Sequence, residues 1–129
     1  MRELVDLPVE ECLRLLGQQY LGRLAFLRDG VPELLPVNYL FHEGSVVFRT
    51  DRGGLLDQVH GATVAFEVDE VDAGWQSGWS VVVHGKAQEV WDPDELERAR
   101  ELPLRPWAAG DRVHYVRVLP RAITGRRIA

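Results

Sequence analysis

The sequence predicts a mainly β protein, an antiparallel barrel of six or seven strands with short helices, formed by one domain over residues 1–129. Several segments alternate apolar and polar residues with the period of two that a half-buried strand requires. Tight-turn signals separate them, Asp29-Gly30 being the strongest. The helical segments between the strands are short inserts, and no internal repeat or domain linker is visible.

Taken in order, Asp6-Leu7-Pro8 opens a helix to about Gln19, with Pro8 in the first turn, where its missing N–H is harmless. Val9, Leu13 and Leu16 follow helical spacing, with Cys12 beside them, and Gly17 weakens the end. Leu21 to Arg28 and Val31 to Phe41 read as a hairpin about Asp29-Gly30. Proline inside a strand removes a ladder bond, so Pro36 marks an edge, a bulge or a kink. Ser45 to Thr50 sets Val46 and Phe48 against Val47 and Arg49. After Gly53-Gly54 a short helix runs to about His60.

Thr63 to Asp69 sets Val64, Phe66 and Val68 against Ala65, Glu67 and Asp69. Gly78 to Trp91 places Trp79, Val81, Val83, Ala87 and Trp91 on one face, with Ser80, His84, Lys86 and Gln88 mostly on the other. Asp92 caps a second helix, with Pro93 at its first position and Glu95 completing a capping box, and the helix ends before Pro103. Asp111 to Leu119 and Ala122 to Ile128 read as two strands hinged at Pro120.

Composition narrows the function. Hydrophobic residues at 46% and charged residues at 27% allow a core without metal or disulfide staples. A net charge of −5 argues against a general nucleic-acid binder, which needs excess Lys and Arg to neutralise phosphates. Arg112, Arg117, Arg121, Arg126 and Arg127 crowd the C-terminal end, and Glu67, Asp69, Glu70 and Asp72 read as an acidic turn. Each reads first as a solvated face, the arginines alternatively as a local anion site. The lone Cys12 excludes an internal disulfide. Without a charged leader or an apolar run of membrane-spanning length, a cytoplasmic protein with no membrane partner is expected.

Three constellations could carry chemistry. In Arg49-Thr50-Asp51-Arg52-Gly53-Gly54-Leu55 a strand gives way to a glycine turn and a helix start, a setting in which backbone N–H groups and arginines bind anions. On spacing alone a plain strand–turn–helix connection is the favoured reading. Pro36-Val37-Asn38-Tyr39 could present freed backbone groups and the Asn38 amide to a heterocycle, or be an irregular edge strand. Trp75-Gln76-Ser77-Gly78-Trp79-Ser80 could form a stacking surface, or its tryptophans could fill the core or a subunit contact. His42, His60, His84 and His114 lack metal-like spacing, no nucleophile elbow is present, and Cys12 reads as packing.

Together these segments resemble the pyridoxamine 5′-phosphate oxidase-like flavoproteins of the FMN-binding split β-barrel fold, in particular short bacterial members related to nitroimidazole-resistance proteins. The matching residues run nearly end to end: Glu11 to Leu16, Gly22 to Phe26, Pro36 to Tyr39, Val47 to Thr50, Val64 to Asp69, Ser77 to Val81 with Gly85, and Ile123 to Arg127. The resemblance implies a homodimer with flavin mononucleotide (FMN) in two interface clefts. It implies that Pro36, Val37, Asn38 and Tyr39 lie along the isoalloxazine ring. Arg49, Thr50 and Arg52, with the Gly53-Gly54-Leu55 turn, would hold the ribityl phosphate, and Ser77, Trp79 and Ser80 would complete the cleft from either subunit. Relatives commonly carry lysine where this chain has Leu55, so a point-charge partner of the phosphate is missing.

The function this implies is a flavin-dependent oxidoreductase serving a small-molecule electron donor and acceptor, with no side chain marked as proton donor or nucleophile. The deazaflavin F420 is the alternative cofactor, and a non-catalytic flavin- or F420-binding or sensing protein the alternative function.

Overall fold

The computed structural model describes residues 3–51, 54–104 and 114–128. Its elements are β1 (Leu4–Asp6), α1 (Val9–Leu16), β2 (Leu21–Arg28), β3 (Val31–His42), β4 (Ser45–Thr50), α2 (Gly54–Val59), β5 (Thr63–Asp72), β6 (Ser77–Glu89), α3 (Pro93–Arg100) and β7 (His114–Ile128). The strands lie in the order β1-β7-β4-β3-β2-β5-β6, and β6 pairs back onto β7. Every pairing is antiparallel, so β2 to β7 close a six-stranded barrel and β1 is a seventh strand laid on β7. Closure leaves few unpaired edges, as a small all-β chain requires.

Alternation decides which residues enter the barrel. Leu24, Phe26, Phe48, Phe66, Val81 and Val83 point inward and are buried, while their strand neighbours face out. A smaller cluster of Val47, Val90, Ala99, Leu104 and Tyr115 gathers where α3 covers the outside of β4 and β7. Asp29 and Gly30 both take positive φ, 50° and 80°, the backbone that matches a two-residue turn to the twist of its strands. The Asp92 carboxylate accepts the Glu95 N–H at 3.0 Å, with Pro93 beginning α3.

Several expectations are corrected. The buried stripe of α1 is Cys12, Leu15 and Leu16, whereas Val9 and Leu13 are exposed, because the helix sits on the barrel mouth turned towards β7. β5 runs on to Asp72, so the acidic segment is strand and not turn. Trp91 lies beyond the end of β6 and is 68% exposed, off the inner face. β7 does not break at Pro120. The register with β6 shifts instead, from His84 opposite Ala122 to Gly85 opposite Pro120, a bulge that absorbs Arg121. A side chain at 85 would not fit there, since its Cβ would stand 2.1 Å from the Leu119 carbonyl oxygen. β1 was not anticipated, three residues being too few for alternation to register. Among the described residues no helix is long and apolar enough to cross a membrane.

Candidate functional site

Register places the outward residues of five strands in two adjacent rows. Pro36 is opposite Arg23, Arg23 opposite Glu67, Glu67 opposite Val82 and Val82 opposite Thr124. One pleat along, Asp69 is opposite Ser80 and Ser80 opposite Arg126. Beside this second row a cleft of about 510 Å³ opens, lined by Leu4, Asp69, Val71, Gln76, Ser77, Gly78, Trp79, Ser80, Arg126 and Ile128. Its size is that of a small-molecule site, and its walls combine apolar side chains with a few polar groups. Ser77, Trp79 and Ser80 are thus brought together. Trp79 is nearly buried, joining the core to the cleft, while Trp75 is 71% exposed.

The other anticipated residues gather elsewhere. From Val31 to Asn38, β3 has β2 on one flank, and β4 joins the other flank only from Tyr39, so among the described residues Pro36 lies along an open edge. Asn38 donates from Nδ2 to the Tyr20 carbonyl at 3.4 Å, and Val37 packs partly against the core. The Tyr39 side chain is buried, its hydroxyl bonded to the Leu16 carbonyl oxygen, and its backbone N–H donates to the Tyr20 carbonyl at 3.0 Å. Arg49 lies over the Tyr115 ring at 5.5 Å and donates from Nη1 to the Leu104 carbonyl at 3.2 Å. Thr50 is buried, Gly54 begins α2, and Leu55 packs on the core. Arg52 and Gly53 lie outside the described residues, as does Arg112 of the basic C-terminal group.

Arg49 and Ser80 stand at opposite ends of β7, for Arg49 pairs with Tyr115 and Ser80 with Arg126. That stretch of strand spans on the order of 30 Å.

Between the groups lies a charged cluster that sequence reading treated as solvated surface. Arg23 donates from Nη1 to Glu67 Oε1 at 3.1 Å and to Asp69 Oδ2 at 2.9 Å. The Glu67 carboxyl is pushed up to about 7, first by burial, then by the hydrogen bond and charge of Asp69, with Arg23 pulling the other way. The alternation that sets Glu67 and Asp69 outward is visible in the sequence, but the β2–β5 pairing that brings Arg23 to them skips two strands and leaves no local signal. Arg117 and Arg127 of the C-terminal group are in ion pairs with Glu95 and Glu11, at 3.0 and 3.1 Å, whereas Arg126 lines the cleft.

A second cleft, of about 410 Å³, is lined by Leu56, Asp57, His60, Glu89, Trp91 and His114. Here His114 Nδ1 and Glu89 Oε2 are 2.7 Å apart, and His60 Nδ1 accepts the Glu89 N–H at 3.1 Å. Among the described residues no three His, Cys, Asp or Glu side chains are grouped so as to hold a metal.

Comparison with known proteins gives this geometry its relatives. The family described as pyridoxamine 5′-phosphate oxidase matches residues 8–127. The uncharacterized protein Rv0080 of Mycobacterium tuberculosis is 38% identical over 133 residues, covering 98% of this chain and 87% of its own. The structure of the FAD binding protein from Mycobacterium smegmatis superimposes with a TM-score of 0.84 at 37% identity, over 96% of this chain and 98% of that one. The protein of unknown function DIP1874 from Corynebacterium diphtheriae gives 0.82 at 32% identity, over 98% of both chains. The fold is that of the FMN-binding split barrels, and the chain belongs to the pyridoxamine 5′-phosphate oxidase family.

Proposed function

We propose that this chain binds a flavin at the interface of a homodimer and acts as a cytoplasmic flavin-dependent oxidoreductase, passing electrons between a small-molecule donor and acceptor. The observation that carries this reading is the separation of the two residue groups around the barrel. Arg49 and Thr50 pair with the start of β7 and Trp79 and Ser80 with its end, and the Pro36–Tyr39 edge on β3 stands three strands from β6 by either way round. One flavin can touch both groups only if a second copy supplies one of them. Leu4, Val71 and Ile128, all exposed around the cleft, give that second copy an apolar surface to cover.

The donor set suits a flavin. The open edge of β3 offers backbone groups to a heteroaromatic edge, Trp79 gives an apolar wall, and Arg49 and Arg126 give cations for phosphate. A bound flavin supplies the hydride or electron transfer; the protein's share is to hold it, orient it and exclude water.

FMN is the cofactor the resemblance implies. A second reading, FAD, is favoured by Leu55: an FMN monoester approaches two negative charges, whereas each phosphate of FAD carries one and needs less from a missing cation. The 37% identical Mycobacterium smegmatis protein, an FAD binding protein, supports it. F420 is the third candidate.

The test is an absorption spectrum of the purified protein, before and after loading with FMN, FAD or F420 and desalting, with mass measured in solution. One retained flavin per chain in a dimer supports the proposal, and the best-retained compound identifies the cofactor. Turnover well above that of free flavin, with any donor and acceptor, then separates enzyme from binding protein. A colourless chain that none of the three reloads would sink the flavin reading.

A further inference from the structure

The chain places two carboxylates on one cation between the two halves of the candidate site. Glu67 and Asp69 are two residues apart on β5, so both face outward, and both accept from the same nitrogen of Arg23. Asp69 lines the cleft beside Ser80, and Glu67 stands one pleat further along, towards Pro36. Each carboxylate is about two-thirds covered, with side-chain exposures of 30% for Glu67 and 32% for Asp69.

The other elements around Glu67 bring little compensating charge. β2 contributes Arg23. On β6 its partner is the apolar Val82, with His84, exposed, on one side and Ser80 on the other. On β7 the nearest charge is Arg126, opposite Ser80, in the neighbouring row. Two negative charges and one shared positive charge at this spacing favour a proton on the pair. The position of the Glu67 carboxyl, near 7, agrees.

We propose that occupation of the Trp79 cleft by a flavin is coupled to uptake of a proton by the Glu67–Asp69 pair. The inference rests on the flavin reading above and adds a linkage that the reading does not require. A ligand laid over Asp69 and Ser80 removes water from the Asp69 carboxylate and so from the pair it forms with Glu67 on Arg23. Desolvation disfavours the ionised form, so the bound state holds more proton than the free state. By linkage, affinity then falls as pH rises, by about three- to five-fold between pH 7 and 8.

The experiment is calorimetric titration of the full chain with FMN and with FAD at pH 7, in PIPES and in imidazole, whose ionisation heats differ. The expected result is uptake of about half a proton per flavin bound, since a group titrating near neutrality is about half protonated beforehand. Glu67→Gln keeps binding but loses the buffer dependence. Asp69→Asn, which removes the like charge, also reduces uptake and serves as the second variant. Flavin binding with the same heat in both buffers overturns the coupling and leaves the flavin reading standing. Unchanged uptake in Glu67→Gln overturns it as well. No binding of either flavin removes both together, an outcome distinct from binding without uptake.

Discussion

The Tyr39 hydroxyl donates to the Leu16 carbonyl oxygen at 2.6 Å, tying the middle of β3 to the last turn of α1 inside the barrel mouth. The same ring meets Phe66 edge-on, with centroids 4.7 Å apart. Removing only the hydroxyl leaves the ring contact intact and a buried carbonyl without its partner. Tyr39→Phe is therefore expected to lower stability by about 1–3 kcal/mol. Urea unfolding of the two proteins measures this, and an unchanged midpoint would show that water takes the place of the hydroxyl.

Gly22 is set by close approach. A Cβ there would stand 2.2 Å from the Phe66 ring and 2.9 Å from the Glu67 carbonyl oxygen. Gly22→Ala should cost about 1–3 kcal/mol, in the manner of an overpacked core. Adding Phe66→Leu relieves the ring clash but not the backbone one, so the double variant should cost less than the sum of the two single changes but more than Phe66→Leu alone. Thermal melts of all four proteins decide it.

Cys12 is fully buried, and burial pushes its thiol up from the ordinary value. The thiolate that reacts with disulfide reagents is thereby suppressed. DTNB should leave the native protein unlabelled over minutes and label one thiol per chain after unfolding. Rapid labelling of the folded protein would mean that α1 lifts off the barrel.

Arg49 already engages the Tyr115 ring and the Leu104 carbonyl. In the proposed site it also contacts phosphate, and Arg49→Ala is expected to weaken FMN binding by about 1.5–3 kcal/mol, as for a charge-assisted hydrogen bond. Fluorescence titration gives the dissociation constant, with a parallel melt to account for the lost packing. An unchanged constant would confine Arg49 to a structural role.

Glu67 gives stability a pH dependence of known sign. Its folded-state value, about 7, lies above the ordinary 4.5, so the folded chain binds more proton than the unfolded one between them. The contribution is fully present below about pH 4.5 and is lost as pH rises towards and through 7. Melting temperatures of Glu67→Gln should therefore fall less from pH 5 to pH 7.5 than those of the wild type. A parallel pair of curves would assign the slope to other groups.

Legibility in the sequence followed the range of each signal. Local signals read well: β2 and β4 run over the anticipated residues, Asp29-Gly30 turns the hairpin, and Asp92 caps α3. The inner stripe of α1 is legible at Cys12 and Leu16 but not at Val9 and Leu13, because Val9, Leu13 and Leu16 satisfy helical spacing as well as Cys12, Leu15 and Leu16 do. Which stripe is buried depends on the barrel beneath, and Gly125, where an added Cβ would come 2.6 Å from the Cys12 sulfur, is part of that surface. In the candidate site, Ser77, Trp79 and Ser80 are consecutive enough to be read as a unit. The Arg23–Glu67–Asp69 cluster is not, because its cation and its acids are forty-odd positions apart and meet only through non-local pairing.

β7 is bordered by β4 and then β1 on one flank and by β6 along the other. During synthesis it is the last of these strands to leave the ribosome, so until then β4 and β6 each present an unpaired edge. Nothing earlier in the chain can seal the cylinder, and a nascent chain halted before residue 114 is an open sheet with its apolar lining uncovered. Commitment to the closed barrel thus waits for β7, which makes loss of that strand the damaging truncation and the interval before it emerges the vulnerable one for aggregation.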